Sequence, residues 1–272
     1  MSYIPLIARV DSLPPLPESV LKLEQLFLEN DPDIDKIVKI IESDPSLTAD
    51  ILAKVNAPYY GFSKSIISIL QAVTLFGSTQ IRSIVLTSSI GRNFDIDLSP
   101  YNLSTSEFSK ISTMQSELIF QWYMGINIEI ARAITPIAFL MEIGKILIAK
   151  DILENEKSES FLHDLESYDD ISYVENIHTM MTTAQINALI FKHLHLNDNF
   201  STCMQYLDIG KEIPPHMSEM VQALQIVRIA VNIQEQFSED SLSQARELLV
   251  QNNYGIDGFN RAVKRIQRKY LD

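Results

Sequence analysis

The sequence predicts an all-α protein, on three observations. Apolar residues recur at helical spacing along most of the chain, as in Val20, Leu23, Leu26 and Phe27, in Ile34, Ile37, Val38 and Ile41, and in Leu224, Val227, Ile229 and Val231. No sustained period-two run, the pattern of a half-buried strand, competes with them. Helix starts are marked by a capping side chain followed by proline at Asp31-Pro32, Asp44-Pro45 and Thr135-Pro136. The missing proline N–H costs nothing there, because first-turn N–H groups have no partner within the helix.

In chain order, Leu13-Pro14-Pro15-Leu16-Pro17 is an extended lead-in, since each proline pushes its predecessor out of the α region. The first helix then spans 18–29. The helix that starts at Pro45 ends at Asn56-Ala57-Pro58-Tyr59-Tyr60-Gly61, where Pro58 blocks continuation and Gly61 permits a turn. A helical stretch from about Ser68 to Phe76 is separated by Gly77 from another running to about Phe94. Asp95 to Thr105 has turn chemistry and no clear period, which places a boundary between two helical subdomains, 1–104 and 105–272. The second half predicts helices over about 106–123, 136–153, 183–195, 218–237, 241–250 and 257–270. Between them, residues 151–175 carry nine acidic side chains and one basic one, Lys157, and read as a solvated connection with a short helix.

Composition narrows the function. The 272 residues include 22 Lys and Arg against 35 Asp and Glu, a net charge of −13, which repels phosphate backbones and anionic membranes at long range and disfavours general nucleic-acid binding. The single cysteine, Cys203, cannot form an intramolecular disulfide or a thiolate zinc cage, and the first residues lack a signal-peptide pattern, so the cytoplasm is the expected location. The least charged stretch, Ser65 to Gly91, is broken by Arg82 and reads as a buried helix rather than a transmembrane segment.

Signals for catalysis are sparse. There is no nucleophile elbow, phosphate-binding loop, dinucleotide turn or zinc-protease helix motif. His193 and His195, two apart, point to different sides of a helix. His163-Asp164 is the one literal His-Asp pair and lies in the acidic connection, and Cys203 has no basic neighbour to activate it. Against the overall charge, residues 257–272 carry Arg261, Lys264, Arg265, Arg268 and Lys269 with only Asp257 and Asp272, beside an apolar stripe of Phe259, Ala262, Val263, Ile266 and Tyr270. This basic amphipathic helix is either a docking element for an acidic partner or membrane surface, or a terminal helix packed on its own acidic body. Asn56, Tyr59, Tyr60 and Phe62 form a candidate contact surface, with an aromatic plug between subdomains as the alternative.

The landmarks Leu13-Pro14-Pro15-Leu16-Pro17, Ile41 with Asp44-Pro45 and Leu47, Leu52 through Gly61, and Ala72-Val73-Leu75-Phe76-Gly77 with Ile81-Arg82 resemble those of the HDOD domain, a bacterial signalling module related to HD-type phosphohydrolases. The resemblance spans roughly residues 10–205 and implies a multi-helical fold, an N-terminal bundle packed on an HD-like helical subdomain. The superfamily's His-Asp-Ile-Gly-Lys motif is matched by Met141-Glu142-Ile143-Gly144-Lys145, with the His-Asp metal-ligand pair replaced. Methionine lacks the hard nitrogen donor, and Glu142 is left as a lone carboxylate. A downstream motif that often contains histidine falls on Thr183-Ala184-Gln185-Ile186-Asn187-Ala188, again without one.

These readings imply a non-catalytic signal-transduction module with no cofactor and no metal. It would bind signalling proteins in trans or a small signalling ligand, and could form a homo-oligomer. The rival is a divergent metal-dependent phosphohydrolase using Glu142 with Glu117 or Glu129. Met141 is expected to face a filled core rather than an empty former metal pocket.

Overall fold

The computed structural model describes residues 4–29, 31–60, 62–91 and 96–271, without the side chains of Ile4, Pro5 and Tyr59. The described residues are helical throughout, with no strand; an isolated antiparallel bridge joins Val231 to Gln236. The helices are α1 (Ile4–Asp11), α2 (Glu18–Leu26), α3 (Ile34–Glu42), α4 (Pro45–Val55), α5 (Ile69–Gly91), α6 (Thr105–Tyr123), α7 (Ile128–Leu140) and α8 (Gly144–Glu154). There follow α9 (Ser158–Ser167), α10 (Ile171–Thr179), α11 (Thr183–His193), α12 (Asp198–Gln205), α13 (Ser218–Ala230), α14 (Glu239–Gln251) and α15 (Ile256–Tyr270).

Local chemistry sets most of the boundaries. Asp44 caps α4 by accepting from Leu47 N at 3.0 Å, with Pro45 at the first helical position. Ser104 and Glu107 close a reciprocal capping box at the start of α6. Gly77 breaks α5 into two helical halves with φ +77° and ψ 158°, a conformation essentially reserved for glycine. The second half continues to Gly91; the predicted end near Phe94 lies outside the described residues.

Several predicted boundaries are corrected. The cap of α3 is Asp33, not Asp31, because its carboxylate accepts from Asp35 N and Lys36 N. Pro136 does not open a helix but lies inside α7, which starts at the Asn127 cap. The buried face Ala131, Ile134, Ile137 and Ala138, packed on α5 and α6, outweighs the one backbone bond that an interior proline forfeits. The predicted 136–153 helix is interrupted at Met141, and α8 begins at Gly144. The 218–237 helix stops at Ala230, where the chain turns into the Val231–Gln236 bridge. Helices α1 and α12 lie in stretches where no helix is predicted, and the 151–175 segment read as a solvated connection instead holds α9 and the start of α10, burying Phe161, Leu165, Val174 and Glu175.

A single continuous core runs from Leu6 to Tyr270. Helix α7 packs on α5, α6 and α13, while α1 reaches across the molecule to lie on α8 and α11. Arg9 of α1 pairs with Glu154, and His193 Nε2 lies 2.8 Å from Leu13 O. Helix α5 is long and apolar enough to cross a membrane by length and composition. Here it buries Ile81, Ile84, Val85, Leu86 and Ile90, and Arg82 forms a two-point ion pair with Glu24 at 2.6 and 2.9 Å.

Candidate functional site

The break between α7 and α8 presents the degenerate motif. Met141 is fully buried, and its carbonyl accepts from Asn187 Nδ2 at 2.7 Å. Asn187 Oδ1 in turn accepts from Gly144 N at 2.7 Å, so one side-chain amide braces both sides of the turn. Gly144 is required by close approach: a Cβ there would meet Thr183 O at 2.8 Å and Asn187 Oδ1 at 2.9 Å. The downstream segment that lacks histidine therefore contributes structurally, through Thr183 and Asn187.

Glu142, only 2% exposed, projects into a set of buried charges. Its Oε1 accepts from Arg228 Nε at 3.0 Å, and its Oε2 lies 3.0 Å from Lys145 Nζ. Arg228 Nη1 also donates to Asp208 Oδ1 at 3.3 Å. Lys145 Nζ donates to Glu175 Oε1 at 2.7 Å and Thr183 Oγ1 at 3.1 Å. Glu175 additionally accepts from Tyr101 OH and from the Thr183 hydroxyl and N–H. Burial pushes the Glu142 carboxyl up, but the Arg228 and Lys145 charges outweigh that and bring it down to about 2. Burial and the adjacent Glu175 push the Tyr101 phenol well above its usual value, so it serves as a neutral donor.

Glu142, Lys145, Asp208 and Arg228 line one side of a cavity of about 410 Å³. Ile171, Leu207, Ile209, Ile229 and Ile233 add apolar walls, and Asp169 and Asp170 stand exposed in the lining. The expectation of a filled core thus describes Met141 but not its neighbour: one residue on, the structure has a cavity lined by carboxylates.

The donor set does not fit a hydrolytic metal. Met141 offers no hard donor, Glu142 is already neutralised by two protein cations, and no cluster of three or more His, Cys, Asp or Glu able to hold an ion occurs among the described residues. Neither rival carboxylate joins it. Glu117 accepts from Lys269 and Tyr270 on α15, and Glu129 lies in a separate hollow with Arg82 and Arg132. In the His163-Asp164 pair, Asp164 is 2.7 Å from His178 rather than in any cluster.

The other sequence candidates separate. Asn56 bonds Leu52 O and both the N–H and the carbonyl of Ile66, so its side chain pins the loop. Tyr60 is buried edge-on against Phe76 under Lys269, Phe62 is 47% exposed, and the Tyr59 side chain lies outside the described residues. Helix α15 buries its apolar stripe against α6, with Phe259 on Trp122 at 5.2 Å. Its Arg261, Lys264, Arg265 and Arg268 are exposed, whereas Lys269 bonds Glu117 at 2.7 Å. Arg228, Glu175, Asp208 and Tyr101 belong to no motif visible in the sequence. The one sequence signal for Arg228 is that it is the lone cation in the mostly apolar run Leu224 to Val231.

Fold and site together define an all-helical module in which the Met141-Glu142 turn is tied into a network of charges from α8, α10 and α13. The HDOD domain model matches residues 13–208, and the chain belongs to the HDOD family. It is similar over 98% of its length, and 94% of the other chain, to a virulence factor from Campylobacter jejuni subsp. jejuni, at 27% identity and a TM-score of 0.57. A protein named as a candidate signal transduction protein from Marinobacter aquaeolei shares the fold at 18% identity and a TM-score of 0.72, covering 96% of this chain and 58% of that one. An uncharacterized protein from Treponema pallidum is 29% identical over 84 residues, 31% of this chain and 16% of that protein's length.

Proposed function

We propose that this HDOD protein is a non-catalytic signal-transduction module that acts by binding a partner protein or a small signalling ligand. The observation that carries the reading is the pairing of Glu142 with both Lys145 and Arg228. A carboxylate held by a buried lysine and a half-buried arginine is a poor metal ligand, because an incoming divalent ion would have to displace charges already paired with it. Membership of the HDOD family supports the signalling role, and the adjacent cavity supplies room for a ligand.

The test is a titration of the full chain with Mn²⁺, Fe²⁺ and Zn²⁺, followed by calorimetric unfolding, alongside phosphate-release assays on bis-p-nitrophenyl phosphate and nucleotides. The expected result is no stoichiometric ion, no rise in unfolding temperature and no turnover above buffer. A tightly held ion that raises stability by mass action, with metal-dependent turnover abolished in Glu142→Gln, would refute the reading.

A further inference from the structure

We propose that the exposed face of α15 docks an acidic, amphipathic segment of a partner protein, with Phe62 receiving an apolar side chain at the helix's C-terminal end. This rests on the partner-binding reading above and names the chemistry of the partner.

Arg261, Lys264, Arg265 and Arg268 follow one another at helical spacing. At 3.6 residues per turn they fall within about 100° of arc and span about 10 Å along the axis. Phe259, Ala262, Val263, Ile266 and Tyr270 occupy the opposite side and are buried, so the packing that fixes α15 on α6 turns the four cations outward. Residues 257–272 carry a net charge of +3 in a chain of −13, and the rest of the molecule stands at −16.

A terminal helix held by its own acidic body would pair these charges. Lys269 does so, with Glu117 at 2.7 Å. Among the described residues, none of the other four forms an ion pair or a hydrogen bond. The helix dipole favours cations in the last turn, which accounts for Arg268 but not for Arg261 or Lys264. Like charges three and four residues apart repel, so the stripe lowers the stability of the free chain and returns nothing to it.

The fold also brings a second sequence candidate to this helix from about 200 residues away. Lys269 Nζ lies 5.5 Å over the Tyr60 ring, and Phe62, half exposed, lies 6.3 Å from Tyr60 and 5.6 Å from Phe76. An exposed aromatic backed by two other rings is a firm anchor for an apolar side chain. Three guanidiniums and an ammonium in a row suit carboxylates repeated at the same spacing on a partner helix. A membrane is a poorer fit, because a helix that lies in lipid needs its apolar face free, and here that face is buried against α6. A nucleic-acid backbone would run past the short stripe onto a body at −16.

The experiment is fluorescence anisotropy of the full chain against a labelled alanine-based helical peptide, with glutamates at spacings of three and four and a leucine at one end. Saturable binding that weakens as salt rises is expected, with the glutamine counterpart of the peptide about tenfold weaker or worse. Replacing Arg261, Lys264, Arg265 and Arg268 together by glutamine should abolish binding, and Arg265→Gln alone should weaken it about two- to fivefold, the scale of one exposed ion pair. Lys22→Gln, Lys36→Gln and Lys39→Gln combined, on the exposed faces of α2 and α3, should change it less than about twofold. Phe62→Ser should weaken the leucine-bearing peptide about threefold and leave an all-alanine analogue unchanged. The quadruple variant should unfold at the wild-type temperature or above it, since repulsion is relieved and no native contact is lost. A fall in that temperature would assign the cations to holding their own helix and overturn the proposal. So would equal binding of the glutamine peptide, an equal loss in the α2–α3 variant, Phe62→Ser without effect on the leucine peptide, or a preference for phosphatidylserine vesicles or duplex DNA. The metal and turnover assays have independent readouts, so those outcomes overturn the docking surface without touching the non-catalytic reading.

Discussion

Replacing Arg228 by methionine removes the bonds to Glu142 and Asp208 while keeping much of the side-chain volume. Glu142 then depends on Lys145, which it shares with Glu175, and on a long 3.4 Å contact from Gln115 Nε2. The carboxyl at about 2, against an ordinary 4.5, corresponds to about 3 kcal/mol favouring the ionised form in the folded chain. Removing one partner of a buried ion pair costs about 3–5 kcal/mol. We expect a loss in that range at pH 7, read by urea unfolding followed by circular dichroism, and a fall in unfolding temperature of about 10 °C.

The pH dependence gives the sharper check. In the wild type the Glu142 contribution is fully present above pH 4.5 and is lost as pH falls toward 2, because the folded-state value is the lower one. Without Arg228 the folded value rises, so protonation relieves the stranded charge and the gap between variant and wild type narrows as pH drops from 7 to 4. Combining Arg228→Met with Glu142→Gln should recover about 2 kcal/mol or more relative to additivity. A single-variant loss under about 0.5 kcal/mol, or strictly additive losses, would refute the account of the network.

Gly144→Ala should cost about 2 kcal/mol or more by the same unfolding assay, since its Cβ would strike the α11 backbone at 2.8 Å, and wild-type stability would disprove that close approach. Gly77→Ala meets no neighbouring atom, so its cost of about 1–3 kcal/mol should arise from backbone strain alone; Gly77→Asn would be no remedy, because the conformation lies outside the left-handed helical region. Cys203 is buried and its thiol is pushed up to about 12, so iodoacetamide labelling followed by mass spectrometry should be slow in the native chain and fast in urea. Rapid native labelling would mean that α12 opens locally.

The helical class was legible because spacing, caps and glycine breaks are local signals. Asp44 caps α4 through the N–H three residues on, and Gly77 imposes its break by its own backbone. Pro136 misled because a local breaker was overridden by burial of the whole α7 face, a tertiary effect. The site divides in the same way. Met141 and Glu142 were visible as departures from a motif, but Glu175, Arg228 and Tyr101 meet them only through packing of α8, α10, α13 and the turn before α6. Glu175 is one of nine acidic residues in 151–175, and nothing in its immediate sequence distinguishes this fully buried carboxylate from the exposed ones beside it. Tyr60 reads as a contact residue in isolation, whereas in the fold it is buried against Phe76 with Lys269 of α15 over its ring.

The Asn187 brace has a consequence for how quickly the pocket can respond. By tying Met141 O and Gly144 N to one amide, it fixes the α7–α8 turn through the protein's own bonds. A cavity whose wall is already in its binding geometry has little ordering entropy to lose when a guest arrives. Association should then be a single bimolecular step whose rate rises linearly with ligand concentration, without a slower isomerisation plateau. Any signal would arise from changes elsewhere in the cavity wall, not from assembly of the α7–α8 turn.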